Sequence, residues 1–343
     1  MILRVDRLQI EMDLPEQPDP AAAAAVQELL GGRFGEMSTF MNYTFQSWNF
    51  RGREKVRPYY ELIANIGTEE YGHVELVAST VNGMLTGASS GGDVTDTPLA
   101  GVMPAPNPHH FIVQGQSAAP ANSLGQPWQG DYVFNSGDLV LDLLHNFFLE
   151  CGARTHKIRV YEMTDHPIAR QMLGYLFVRG GVHALAYAKA LEELTGATVW
   201  KLLNIPNVPN SKFPETKQWE DQASHRTLYR FSETDFNNLG AVWKGTHPDD
   251  GEEVFVEQGP PDVGGQPADF PESPEHFVPG YDVGELAEIA KRMMDGSSGS
   301  VSMSGAGAGS AFGGQGGDRS EGGDAREGGL VDKAKDKLSG GDR

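Results

Sequence analysis

The chain has 343 residues, 39% of them apolar, and a formal net charge of −20, which suits one large domain or two modest ones. The negative charge argues against nucleic acid and anionic membranes as partners, because both bind clustered lysine and arginine. A single cysteine, Cys151, builds neither a disulfide framework nor a cysteine-rich zinc site. We recognise neither a signal peptide nor an apolar run of bilayer-spanning length in the sequence, so we expect a cytoplasmic protein.

The first predicted helix spans about residues 21–49. Apolar and aromatic side chains recur there at three-, four- and seven-residue steps, which is the helical period. Gly31-Gly32 weakens this helix locally and marks either a kink or a close helix contact. The inner stripe consists of Leu29, Glu36, Phe40 and Tyr43.

A second helix is predicted over about residues 57–86, since Pro58 suits a first turn. Residues 86–134 follow with many Gly, Pro, Ser and Asn residues and no clear period. A structureless insert of that length is unusual inside a compact domain. We therefore expect it to run the length of a bundle or to contact another subunit. The second helix carries on one face Ile63, Ile66, Glu70, His73, Val74, Val77 and Val81.

Two more helices are predicted over about residues 136–163 and 167–195. Asp138 and its neighbours supply N-terminal caps for the third, and Gly196 suits the C-terminal cap of the fourth. The inner face of the third consists of Leu139, Leu143, Phe147 and Glu150. The inner face of the fourth consists of Met172, Leu176, His183, Tyr187 and Leu191.

These four helices form two antiparallel pairs with one long crossover, which predicts an all-α, ferritin-like four-helix bundle over residues 1–200. Residues 201–295 are rich in proline and acidic side chains. We expect them to form an extended C-terminal arm that lies across the bundle or a neighbouring subunit. Residues 296–343 are rich in glycine and serine, which predicts disorder.

Polar side chains occupy inner positions on all four helices. A buried carboxylate without a partner is costly, and a metal is one usual remedy. Glu70 and His73 form a Glu-x-x-His pair on one helix face. Ferritin-like dimetal proteins use one glutamate from each of two helices and Glu-x-x-His from each of the others. Five of those six residues are present, with Gly180 at the sixth position: Glu36, Glu70, His73, Glu150 and His183.

The nearly equal spacing of these residues supports one shared site. Glu36 precedes Glu70 by 34 residues and Glu150 precedes His183 by 33, which places all four at similar depth in equal helix pairs. Carboxylates and imidazoles without a thiolate suit Mn or Fe, and less often Zn or Co. One glutamate must bridge the two ions to hold them close. We predict that it is Glu70, because His73 on the same helix face already commits that helix to one metal.

The sequence around these residues resembles the manganese catalases over about residues 1–245. The matching motifs are Glu36–Gln46, Glu69–Glu75, Glu150–Tyr161 and Arg179–Tyr187. The resemblance implies dismutation of hydrogen peroxide to water and oxygen by two manganese ions that cycle between Mn(II)₂ and Mn(III)₂. One ion would bind Glu36 and His73 and the other Glu150 and His183, with Glu70 between them. A homohexamer with residues 201–280 around neighbouring subunits is also implied.

The same resemblance implies roles for residues beside the ligands. Tyr43 and Lys157 would join Glu70 as catalytic residues. Other family members carry a glutamate at the position of Gly180 and an arginine at that of Leu149, so the chain is similar to a lysine-containing branch. Some members also bind calcium, for which the candidates here are Glu61 and Asn65.

Two other functions stay open on the sequence: a dinuclear iron oxidase or ferroxidase, and a non-enzymatic assembly protein. Cys151 lies about 100° around the helix from Glu150, so we expect it to face away from the metals. Glu69 and Glu75 are predicted to be structural or solvated. The remaining histidines considered are predicted to lie at the surface or in hydrogen bonds: His109, His110, His145 and His156.

Overall fold

The computed structural model describes residues 8–89, 105–203, 205–259, 270 and 282–296. The α-helices are α1 Pro20–Gly31, α2 Glu36–Asn49, α3 Arg57–Leu85, α4 His109–Ile112, α5 Leu139–Met163, α6 Pro167–Thr195, α7 Lys217–Asp221 and α8 Val283–Gly296. Short 3₁₀ turns span Arg53–Val56, Gly130–Tyr132, Val199–Leu202, Asn210–Lys212, Pro214–Thr216 and Leu239–Ala241. The strands are β1 Thr227–Arg230 and β2 Phe255–Gln258.

The fold is a ferritin-like four-helix bundle of α2, α3, α5 and α6. Helix α2 contacts α3 and α5, and α6 contacts the same two helices. Gly67 of α3 lets α2 approach closely, since a Cβ there would lie 3.2 Å from the Cβ of Tyr43. Gln46 of α2 and Asn146 of α5 exchange two buried side-chain hydrogen bonds of 2.9 and 2.7 Å, which fix the register of these helices.

The prediction of one continuous helix over residues 21–49 needs a correction, because the structure has two helices there. Gly32 is extended (ψ 168°) after the last turn of α1, and α2 begins only at Glu36. The crossover packs against this break: a side chain at Gly31 would overlap the backbone of Ala121. The glycine pair therefore serves both as a break and as a close contact.

Buried Gln27 of α1 helps to hold the described part of the crossover on that helix. The side-chain amide of Gln27 donates to the carbonyls of Ala119 and Ala121, both at 2.7 Å. Its carbonyl oxygen lies 2.9 Å from Nε2 of His110, which is also buried. The described part of the crossover therefore packs on its own chain, against α1 and α2.

Two apolar clusters fill the bundle on either side of a polar layer. One contains the second half of α3 and the first half of α6, with members such as Val81 and Met172. The other contains the first half of α3 and the second half of α6, with members such as Ile63 and Leu191. Because the two helices are antiparallel, their middles meet between the clusters, where the charged residues lie.

Residues 205–259, called here the C-terminal segment, pack on the bundle of their own chain. Strands β1 and β2 pair in parallel, with Thr227 opposite Phe255. Buried Leu228 and Trp243 belong to the second of these apolar clusters, the one that contains Ile63 and Leu191. The chain divides into a unit of residues 1–280 and a second unit, residues 281–343, that contains α8.

The two residues considered for calcium bind this C-terminal segment. Asn65 donates to the carbonyl of Tyr229 at 2.8 Å and accepts from the amide of Phe231 at 2.9 Å, as a neighbouring strand would. Glu61 accepts from the backbone and side chain of Asn238 at 2.7 and 3.0 Å. Both side chains therefore dock the C-terminal segment on α3.

No helix in the described ranges is long and apolar enough to cross a membrane.

Candidate metal centre

The five predicted ligands come together in the polar layer, and we call them the metal centre. Helix α2 supplies Glu36, α3 supplies Glu70 and His73, and α5 and α6 supply Glu150 and His183. None of the five is more than 2% exposed. Glu36 is the first residue of α2, and the other four lie inside the long packed helices α3, α5 and α6.

Glu70 lies between the two histidines. Its Oε2 is 3.1 Å from Nδ1 of His73, and its Oε1 is 2.7 Å from Nδ1 of His183. Glu36 Oε2 is 3.7 Å from the same nitrogen of His73, and Glu150 Oε1 is 3.6 Å from that of His183. The site therefore has two similar halves, each with one histidine and one outer glutamate, and the halves share Glu70.

Three further side chains bind the carboxylates. The hydroxyl of Tyr43 donates to Glu150 Oε1 at 2.6 Å, and that of Thr39 donates to Glu70 Oε2 at 2.8 Å. The ammonium of Lys157 lies 2.7 Å from Glu36 Oε1. The structure thus brings the predicted Tyr43 and Lys157 to the metal centre and adds a threonine that the sequence reading missed.

A buried ion pair lies behind the histidines. Glu69 Oε2 is 3.1 Å from Nε2 of His183, and its Oε1 is 3.8 Å from Nε2 of His73. Arg179 donates to both oxygens of Glu69, at 2.6 and 3.1 Å. Glu69 is completely buried. The sequence left open whether this residue is structural or solvated, and the structure shows that it is structural.

The sequence contains a signal for this ion pair. Glu69 precedes His73 by four residues, and Arg179 precedes His183 by four, so each pair shares a helix face. Arg179 reaches further than the bundle: its Nη1 donates to the carbonyls of Ser224 and Thr227 at 2.7 and 2.8 Å. No local pattern could reveal those long-range contacts.

Lys157 fills the space that Gly180 leaves. A Cβ at Gly180 would lie 3.8 Å from Lys157 Nζ and 3.8 Å from Glu150 Oε2. A longer side chain at this position would meet the ammonium group. Leu149 is buried in the apolar cluster that contains Ile63 and Leu191, where an arginine would lack a polar partner.

The buried charges of this layer do not balance. Burial raises the pKa of Glu36 to about 7, although Lys157 opposes the rise. Burial also raises the pKa of Glu70, but the nearby His73 and His183 outweigh it and hold that pKa well below its usual value. A histidine must be neutral to ligate a metal. With both histidines neutral, four buried glutamates face only two buried cationic side chains, and bound cations would offset this deficit: Glu36, Glu69, Glu70 and Glu150 against Lys157 and Arg179.

The donor atoms fit manganese. Among the described residues, the buried polar atoms without an aligned hydrogen bond include Oε1 of Glu36, Nε2 of His73 and both ring nitrogens of His183. One ligand atom from each of Glu70, His73 and His183 lies within 4.8 Å of the others. Carboxylate oxygen with imidazole nitrogen is a ligand set that Mn and Fe accept.

Comparison with known proteins decides between these metals. The family model of manganese-containing catalases matches residues 1–298. The chain belongs to this family. It is 38% identical over 222 residues to the manganese catalase of Bacillus subtilis, which covers 64% of this chain and 77% of that protein. It is 33% identical over 262 residues to the manganese catalase of Lactiplantibacillus plantarum, which covers 76% of this chain and 92% of that protein.

A solved structure of KatB, a manganese catalase from Anabaena, aligns with a TM-score of 0.48 and 21% identity, over 76% of this chain and all of that one. The family assigns manganese and the dismutation of hydrogen peroxide to this catalase. Membership therefore decides against the iron protein and against the non-enzymatic assembly protein.

A cavity of about 250 Å³ reaches the metal centre of this catalase from one side, and we call it the side cavity. Its inner end is lined by Glu150, Gly180 and Gly181. Cys151 also lines it, but burial raises the pKa of this thiol to about 12, so it stays protonated and unreactive.

Proposed function

We propose that this catalase holds two manganese ions at the metal centre, one by Glu36 and His73 and the other by Glu150 and His183. Glu70 would be shared. The observation that supports this is the placement of the two Glu70 oxygens, each beside a different histidine at 3.1 and 2.7 Å. A carboxylate between two ions is the usual way to hold them close.

When bound, the manganese pair would supply the redox chemistry, with two electrons exchanged per peroxide so that one peroxide leaves as oxygen and the next as water. The chain's own residues handle protons. Tyr43 presents its hydroxyl proton to Glu150 Oε1, and Lys157 presents its ammonium to Glu36 Oε1. Each half of the site thus has a proton donor beside an outer carboxylate, where a peroxide proton can be taken up and returned.

Glu69 and Arg179 are positioning residues in this proposal. A histidine that ligates a metal commonly donates its other ring nitrogen to a carboxylate, which fixes its tautomer and orientation. Glu69 faces Nε2 of both His73 and His183, which leaves both Nδ1 atoms to face Glu70. The guanidinium of Arg179 keeps Glu69 ionised and in place.

The side cavity offers hydrogen peroxide a route to Glu150. Gly180 and Gly181 carry no side chain that would narrow it, and space around Gly181 is open for 4 Å. Hydrogen peroxide is small and uncharged, so an opening of this size admits it.

The experiment that tests this proposal combines metal analysis with crystallography. For protein purified from its own source, we expect oxygen evolution from peroxide and two anomalous-scattering peaks per chain at the manganese edge. Glu70→Gln should lose metal and activity while the helical circular dichroism is retained. A single manganese peak, or unchanged manganese content in the variant, would contradict the shared role of Glu70.

We also propose a homohexamer that works in the cytoplasm against oxidative stress. Adjacent helices α2 and α5 carry exposed apolar side chains, which commonly mark interfaces. Light scattering of the purified protein tests the assembly, and Trp48→Glu should shift it toward smaller species. The exposed apolar residues are Phe45, Trp48, Leu141, Leu144 and Phe148.

A further inference from the structure

A second group of metal-ligand side chains lies outside the metal centre, and we call it the outer cluster. It consists of His225, His247 and Asp250. Nε2 of His225 is 2.9 Å from Asp250 Oδ2, and Nδ1 of His247 is 3.9 Å from Asp250 Oδ1. The two imidazole rings are 5.1 Å apart and nearly perpendicular. One ligand atom from each of the three residues lies within 4.8 Å of the others.

The backbone holds these side chains in place. His247 and Asp250 lie on one tight turn, in which the amide of Gly251 donates to the carbonyl of His247 at 2.9 Å. The amide of Glu252 donates to Asp250 Oδ1 at 3.0 Å. His225 stands just before β1, and the turn stands just before β2, so the pairing of the two strands brings the halves of the outer cluster together.

The outer cluster lines the side cavity at the end away from the metal centre. Glu220 and Asp249 line the same cavity and add negative charge. His247 is buried and His225 is half-buried, whereas Asp250 is exposed. All three residues therefore border a cavity of about 250 Å³, which is large enough for water and a small cation.

We propose that His225, His247 and Asp250 bind a divalent cation of the zinc class at the outer end of the side cavity. Two imidazoles and one carboxylate are the protein ligands of many three-ligand zinc sites, in which water takes the remaining position. The outer cluster has a higher share of imidazole than the metal centre has. That difference favours zinc, cobalt or nickel over manganese in the outer cluster.

Arg226 competes with such a cation. Its Nε lies 3.4 Å from Asp250 Oδ2, and its Nη1 lies 3.8 Å from Glu252. Binding of the cation weakens this partly exposed ion pair, so the outer cluster exchanges its ion more readily than the buried metal centre does. The bound cation links His225 to the turn of His247 and Asp250, and so stiffens the outer wall of the side cavity.

The test uses the manganese-loaded, full-length protein. Zinc is added by titration calorimetry, and manganese and zinc are then counted in the dialysed protein by mass spectrometry. We expect one zinc per chain to bind while manganese content stays constant. His247→Ala and Asp250→Asn should each abolish this zinc equivalent, whereas His109→Ala, which removes an exposed histidine elsewhere, should keep it.

Manganese content and circular dichroism of each variant show whether it has folded. A cobalt titration followed by visible absorption gives a second measurement, in which ligand-field bands appear with the wild type and not with His247→Ala. Three results would overturn the proposal: no zinc equivalent in the wild type, zinc that replaces manganese one for one, or equal zinc binding by His247→Ala.

Discussion

At the scale of single residues, the pair of Glu69 and Arg179 carries much of the site's precision. Both side chains are completely buried, and two hydrogen bonds join them. A buried ion pair often adds little net stability, but removing one partner leaves a charge without compensation. The pair therefore matters most for where it holds the two histidines.

Replacing Glu69 by glutamine separates these effects. We expect manganese affinity to fall by about 10–100-fold, because the partner of the histidine Nε2 atoms changes. The free energy of unfolding should fall by about 3–5 kcal/mol, because Arg179 loses its counter-ion. Manganese titration and urea unfolding measure the two losses. Glu162→Gln, the same change at an exposed glutamate, is the control, and unaltered manganese affinity in Glu69→Gln would disprove the positioning role.

His110 makes stability depend on pH at a distance from the metal centre. Burial, with a smaller contribution from the charge of His109, lowers its pKa to about 4, whereas an unfolded histidine has a pKa of about 6.5. Between these values the unfolded chain binds more protons. The free energy of unfolding therefore falls as pH falls from about 6.5 to about 4, and the loss from this group is complete below about 4.

The variant His110→Gln should lose less stability across that range, by about 1–3 kcal/mol relative to the wild type. Urea unfolding of the metal-free proteins at a series of pH values measures the difference. His109→Gln is the matched control: His109 is exposed, and loss of its charge should change the pKa of His110 only slightly, because burial is the larger cause. Parallel pH profiles for His110→Gln and the wild type would show that His110 does not titrate in this way.

At the scale of helices and strands, the break between α1 and α2 depends on the crossover. A methyl group at Gly31 would overlap the backbone of Ala121, and backbone cannot move aside as a flexible side chain can. Gly181, by contrast, has open space around it although it also lies within a helix.

This contrast gives a matched pair of substitutions. Gly31→Ala should destabilise the protein by about 1–3 kcal/mol through overpacking, whereas Gly181→Ala should stabilise it by about 0.5–1 kcal/mol through helix propensity. Thermal unfolding of both variants measures the signs. A stabilised Gly31→Ala protein would mean that the crossover does not pack tightly at the break.

The same elements show how far sequence reasoning reaches. Periodicity identified the bundle helices and brought Glu36, Glu70 and Glu150 to inner positions, because helix geometry is local. It could not show that α1 ends at Gly31, since the reason lies in Ala121, far along the chain. Strands β1 and β2 were missed for a related cause: they are four residues each and pair across a long separation.

At the scale of the whole molecule, the uneven charge of the polar layer links metal content to stability. Manganese removal by a chelator leaves the buried glutamates undercompensated, so the unfolding temperature should fall. At a free manganese concentration of 100 times Kd, each ion restores about 2.7 kcal/mol. Differential scanning fluorimetry with added manganese measures the recovery, with magnesium as control. An unfolding temperature that does not change on chelation would refute the charge argument.

The contact of Arg179 with the C-terminal segment has a consequence for biosynthesis. A ribosome completes all four bundle helices before it reaches Ser224, which follows Arg179 by 45 residues. Until residues 224–227 have been made and have docked, the guanidinium lacks two of its acceptors. A nascent chain therefore carries every proposed ligand yet cannot hold its histidines rigidly, and we expect metal to be acquired only after the C-terminal segment has folded.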